Sequence, residues 1–162
     1  METTNGTGRE MLRHTVATVA YRAAKAVRGA PAGFAEFQAC ESCRTPGKLL
    51  AHLGDLFDWG LSMASGKPKW EEAPALPWDE SAKRFFEALH KFDDYLASDA
   101  PLECSAEGLF QGPVADALTH VGQIAYLRRL SGAPIRAENY FKAAIAAGTV
   151  GMEQRPPKME FD

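Results

Sequence analysis

The sequence predicts an all-α fold, a four-helix bundle. Apolar residues recur three and four positions apart along four long segments. No segment alternates polar and apolar residues with the period of two that a half-buried strand requires. Gly29 with Pro31, Gly66 with Pro68, and Gly132 with Pro134 follow three of these segments and mark where the helices stop.

The first predicted helix covers about residues 10–28, with Leu12, Val16, Val19, Ala23 and Val27 on one face, and Gly29 and Pro31 stop it. The second covers 46–65. Thr45 is suited to the N-cap, and Pro46 to the first helical position, where a missing N–H costs nothing. Its apolar stripe is Leu49, Leu53, Leu56 and Met63, flanked by Leu50 and Phe57. The stretch from Lys67 to Pro77 holds three prolines and Trp70, and reads as an ordered crossover loop.

A third helix is expected over 79–97, with Ala82, Phe85, Leu89, Phe92 and Leu96 inward and Lys83, Glu87, His90, Lys91 and Asp94 outward. The fourth is expected over 113–130, ending at Ser131 and Gly132. A short fifth helix from Asn139 to Ala147 and an irregular surface tail from Val150 complete the reading. The loop from Ala30 to Pro46 is long enough to hold a turn of helix around Phe34 to Cys40. The 162 residues form one domain with a sizeable core.

Bulk composition narrows the function. A net charge of −3 gives no basic footprint for nucleic acid. No apolar run approaches the roughly 20 residues that span a bilayer, and the first ten residues lack the apolar stretch of a secretory signal. Three cysteines are too few to hold the fold together by disulfides, so a reduced, cytoplasmic setting is expected. Cys40 and Cys43 form a C-x-x-C, but no βαβ context or second cysteine pair accompanies it. It reads as structural or incidental, with oxidative pairing of the two thiols as the minor alternative.

The chemistry concentrates in "DALTHVGQIAYLRR". At 100° per residue, Asp116, His120, Gln123, Ile124 and Leu127 share an arc of roughly 100°, and Leu130 continues it. Asp116 and His120, four residues apart, stack one above the other, close enough to share an ion. His52 lies at the margin of the apolar stripe on the second helix. His14 and His90 fall on polar faces instead.

Two histidines and a carboxylate from facing helices make a three-ligand site with open positions, suited to Zn²⁺, Ni²⁺ or Fe²⁺. The bland alternative is a pair of core histidines satisfied by hydrogen bonds. Asp55 and Asp58 fall on the solvent side of the helical wheel. Tyr126 and Trp59 read as packing residues. Arg128 and Arg129 read as cations favoured at a helix C-terminus, and less readily as anchors for an anionic substrate.

These segments resemble the DinB-like superfamily, also described as YfiT-like metal-dependent hydrolases. "LLAHLGDLFDW" is similar to that family's second-helix histidine segment, and "DALTHVGQIAYLRRLSGAP" to its H-x-x-x-H-x-x-Q-I segment. The resemblance runs from the first helix through Asn139. It implies a bundle of four helices holding a divalent metal through His52, His120 and the residue at position 116. That residue is Asp116 here, where many members have histidine.

By the same resemblance Gln123 supports a ligand or a bound water, and the protein pairs as a homodimer. The activity implied is a hydrolase or a low-molecular-weight-thiol S-transferase acting on a small molecule, with a metal-bound water or thiolate as nucleophile. The rival expectation is a non-catalytic bundle that binds a small ligand or dimerises around a structural polar cluster.

Overall fold

The computed structural model describes residues 2–161, with side chains described from Gly6 onward. Met1 and Asp162, the ends of the single domain expected from the sequence, lie outside the described residues. The chain is mostly helical. Helix α1 spans Glu2–Val27, α2 Pro46–Ala64 and α3 Trp78–Ala97. A fourth helical stretch is built from α4 (Ala106–Leu109), a π-helical turn (Phe110–Val114) and α5 (Ala115–Leu130).

Helix α1 packs on α3 and α5, and α2 packs on the same two. Helices consecutive in sequence, α1 and α2, therefore sit across the bundle from each other, as do α3 and α5. This explains the length of the loop between Val27 and Pro46, which has to cross one end. Every residue of the apolar stripes read from the sequence on α1 and α3 is buried, as are Leu49, Leu53 and Leu56 on α2. Met63 is only half-buried, packed against the edge of this core.

The fourth stretch departs from expectation. Pro113 does not open the helix. The helix starts earlier, where the Ser105 side chain accepts from Gly108 N at 3.0 Å. Pro113 is then carried inside the helix by the π-helical turn, since proline lacks the N–H for an ordinary α-helical bond and its ring crowds the preceding turn. A Cβ added at Gly60 would stand 3.2 Å from the Pro113 ring, so glycine is what lets α2 approach this turn.

The C-terminal third also corrects the sequence reading. The expected helix from Asn139 to Ala147 is a single 3₁₀ turn, Tyr140–Lys142, capped by the Asn139 side chain. So short a segment gains little from helix propensity alone, and contacts with α1 decide its shape. Tyr140 stacks edge-on against Tyr21 at 6.3 Å, and the Arg22 guanidinium lies 4.0 Å from the centre of the Tyr140 ring.

A two-residue antiparallel pair, β1 (Ala137–Glu138) with β2 (Glu160–Phe161), returns the tail to the same place. The buried Glu138 carboxylate accepts from the Tyr21 hydroxyl at 2.7 Å and from Lys25 Nζ at 2.8 Å, and Lys25 also pairs with Glu160 at 2.7 Å. The tail is clipped rather than merely draped, and Val150 is buried in the core.

Charged groups fix the remaining joints. Arg13 pairs with the buried Asp93 through two bonds of 3.0 and 3.1 Å, tying α1 to α3. Arg128 is itself buried. Its guanidinium donates to the carbonyls of Ala26, Arg28, Gly29 and Ala133 at 2.9–3.1 Å. These are the unpaired carbonyls at the end of α1 and just past the end of α5. Burial lowers the pKa of Arg128 from its ordinary value.

Asp55 is a correction of another kind. The helical wheel puts it toward solvent, yet it is buried. The crossover between α2 and α3 lies over that face, so Asp55 accepts from Ala73 N at 3.1 Å and pairs with Arg84 at 2.8 Å. Asp58 pairs with the same Arg84 at 2.7 Å but stays exposed, as expected.

Two measurements test these joints. Arg128→Ala removes every donor from four carbonyls, and urea unfolding is expected to show a loss of about 3 kcal/mol. Arg128→Lys recovers less than half of it, because an ammonium cannot reproduce the planar fork. The second concerns the tail. The hydrogen bond from Lys25 lowers the Glu160 pKa, against a smaller desolvation cost. The stabilisation is therefore present above the ordinary carboxylate range and is lost as pH falls through the folded-state pKa. Melting temperatures of wild type and Glu160→Gln should differ at pH 7 and converge near pH 3.

Candidate metal centre

Three side chains meet where α2 faces the start of α5. His52 comes from the second turn of α2, and Asp116 and His120 from successive turns of α5. His52 Nε2 lies 3.7 Å from Asp116 Oδ2, and His120 Nε2 lies 3.4 Å from Asp116 Oδ1. One donor atom from each residue falls within 4.8 Å of the others. Nitrogen and oxygen ligands held tetrahedrally at about 2.1 Å from one ion stand about 3.4 Å apart. The donors are thus within small side-chain movements of a shared cation, and the set of two imidazoles and a carboxylate fits a divalent ion of the Zn²⁺, Ni²⁺ or Fe²⁺ kind. This is the group the sequence singled out.

Gln123 lies against His120. Its Oε1 lies 2.8 Å from His120 Nδ1, across one turn of α5. An amide oxygen only accepts, so Nδ1 carries the proton and the Nε2 lone pair is directed at the site. With Gln123 accepting from Nδ1, the His120 nitrogen left as an acceptor is Nε2, the one that faces Asp116.

The two imidazole rings stand nearly perpendicular, 4.9 Å between centroids. Burial of His52 and the neighbouring His120 lower its pKa below the ordinary imidazole value, Arg44 adds to this, and Asp116 and Asp55 oppose it. A neutral, metal-competent His52 is the result. The side chains of His52 and His120 are 20% and 11% exposed, while that of Asp116 is 46% exposed, so the carboxylate is the face the site turns to solvent.

The triad lines an open cleft of about 870 Å³, together with Leu49, Leu127, Tyr126, Thr119, Cys43 and Arg44. Tyr126 is 61% exposed, a wall of this cleft rather than the packing residue the sequence implied. Leu130 likewise leaves the buried face and is exposed. Trp59 packs as expected, edge-on to Trp70 at 5.8 Å, and Trp70 in turn meets His52 at 5.6 Å. Arg128 holds carbonyls and cannot serve an anionic substrate.

Sequence reasoning missed Arg44, Cys43 and the placement of Trp70. All three lie in connections without periodicity, so nothing in the sequence pattern could have drawn them to the site. Cys40 and Cys43 are joined by a disulfide, the minor alternative of the sequence reading. It closes a ring of four residues and links no two helices, while Cys104 remains free. His14 and His90 are exposed and take no part, His90 pairing with Asp94.

No helix among the described residues is long and apolar enough to cross a membrane. Comparison with family models, curated proteins and solved structures finds no match to this chain.

The Gln123 contact yields a direct test. Gln123→Met preserves side-chain volume but removes the acceptor from Nδ1. Zn²⁺ affinity, read by competition with a chromophoric chelator, is expected to fall about 10- to 100-fold, with the circular dichroism spectrum unchanged.

Proposed function

We propose that this chain is a divalent-metal-dependent enzyme of the DinB-like kind, a hydrolase or a low-molecular-weight-thiol S-transferase acting on a small molecule. The observation that carries this reading is the convergence of His52, Asp116 and His120, with Gln123 against His120 Nδ1, in the lining of an open cleft. A divalent ion there supplies Lewis-acid chemistry, lowering the pKa of a water or thiol and polarising an electrophile.

The chain's own residues divide the remaining work. His52 and His120 offer imidazole nitrogens from two adjacent helices, α2 and α5. Asp116 supplies the only negative charge of the triad and, being half exposed, leaves an approach for a substrate. Leu49, Leu127 and Tyr126 provide an apolar wall that excludes water from one side of a bound molecule. Trp70 backs His52 and limits its swing.

One observation favours a second reading. Asp116 stands between the two imidazoles at 3.7 and 3.4 Å, and these contacts link α2 to α5 without an ion. In that reading it is a polar joint between α2 and α5 in a non-catalytic, ligand-binding or dimerising bundle.

Elemental analysis of the purified, tag-free protein separates the two. Near-stoichiometric Zn, Ni or Fe, lost in His120→Ala, supports the enzyme reading. A wild type that folds without metal, and whose melting temperature is unmoved by added Zn²⁺, Ni²⁺ or Fe²⁺, supports the structural joint. The sign of the His52 shift also sets the pH dependence of metal retention. Protons compete with the cation for the imidazoles, and a lowered pKa keeps His52 neutral below the ordinary value of 6.5. Metal release on acidification, measured by inline elemental detection, is expected to begin below pH 6.5 rather than at it.

A further inference from the structure

We propose that the cleft recognises a small organic anion, and that Arg44 is the residue that binds its carboxylate or phosphate head. The proposal deepens the reading of the metal centre and rests on the same cleft. Arg44 lies at its rim with His52, Asp116 and His120 among the other lining residues. It also lines the neighbouring cleft, together with Glu36, Asp55 and Glu72.

None of the nearby acids forms an ion pair with it. Asp55 is committed to Arg84, Asp116 faces the two histidines, and Glu36 and Glu72 line only the neighbouring cleft. Among the described residues no ion pair or hydrogen bond engages the Arg44 side chain. It differs in this from Arg9, Arg13, Arg84 and Arg128, each of which holds a carboxylate or a carbonyl of the bundle. A guanidinium is a planar fork of donors matched to oxyanions, and this one is left for a ligand.

Three further features point to the same ligand chemistry. Arg44 precedes the Thr45 cap of α2, so the unpaired N–H groups at the start of a 19-residue helix add positive potential beside it. Leu49, Leu127 and the exposed Tyr126 ring supply an apolar wall next to the charge. With the triad carrying a divalent ion, the cleft has a net positive charge that Asp116 alone does not cancel. The complementary molecule has an apolar body and an anionic head. Its head pairs with Arg44 at the rim while its body lies on the apolar wall beside the triad.

The test uses benzoate and phenylphosphonate as anionic probes and benzamide as the neutral control. Each is titrated by calorimetry at pH 7.5 into wild type, Arg44→Ala and Arg44→Lys, with every protein prepared both metal-free and loaded with Zn²⁺. At least one anion is expected to bind wild type about tenfold more tightly than benzamide. Arg44→Ala should abolish that preference in the metal-free protein and weaken it in the Zn²⁺-loaded one, and Arg44→Lys should keep part of it. Zn²⁺ stoichiometry should be the same in all three proteins, since Arg44 is no ligand.

A preference that survives undiminished in metal-free Arg44→Ala, or a metal-free wild type that holds benzamide as tightly as both anions, overturns the proposal. Failure of the wild type to bind Zn²⁺ would remove the metal reading alone. The metal-free titrations would then still decide whether Arg44 selects an anion. Arg44 is exposed, so folding does not depend on it; Arg44→Gln provides a second neutral variant.

Discussion

The buried guanidinium of Arg128 is the joint on which the arrangement of this bundle turns. A positive charge out of water is costly unless its donors are met. Here they are met by main-chain carbonyls of Ala26, Arg28, Gly29 and Ala133. Those carbonyls belong to the end of α1 and to the turn after α5. One side chain therefore closes two helix termini and locks the two helices together. It also lies 5.7 Å from the centre of the Phe34 ring, which brings the loop after α1 into the same knot. With α5 held at this end, its rotation about its own axis is set, and His120, two turns earlier, is aimed at α2.

At the other end of α5 the control is steric. Pro113 cannot occupy an ordinary helical position, and the π-helical turn that accommodates it adds residues to the helix just before Asp116. The turn shifts the helical phase of α4 relative to that of α5. The face of α5 that carries Asp116 and His120 is thus established afresh after Pro113. Gly60 on α2 allows the turn to sit close, and this proximity holds His52 opposite Asp116. The site is a product of two unrelated constraints, a charge buried at one end and a proline at the other.

This explains which parts could be read from the sequence. The helices were legible because burial imposes a 3.6-residue period, and Leu12, Val16, Val19, Phe85, Leu89 and Phe92 obey it. The triad was legible for a related reason: polar groups that interrupt an apolar face are visible as exceptions. The short helix over Asn139 to Ala147 was misread because alanine-rich composition says nothing of Tyr140, which α1 draws into a ring contact. Asp55 was misread because a wheel records direction from one axis only and cannot show that another segment covers that direction. Arg44 and Trp70 were invisible as site residues, since loops carry no period. The DinB-like resemblance rests on the motifs around His52 and His120 alone.

The contact between Trp70 and His52 has a consequence for observing the molecule. An indole is a fluorophore, and this one touches a candidate ligand while being 43% exposed on the connection between α2 and α3. It also meets a second indole, Trp59, so the pair exchanges excitation energy over a fixed short distance. The ring of His52 is thereby wired to an optical signal at the protein's outer surface. Paramagnetic Ni²⁺ or Fe²⁺ quenches such emission, whereas closed-shell Zn²⁺ does not. Trp70 thus stands as a built-in reporter on His52, and a cation taken up by the triad would register in its emission.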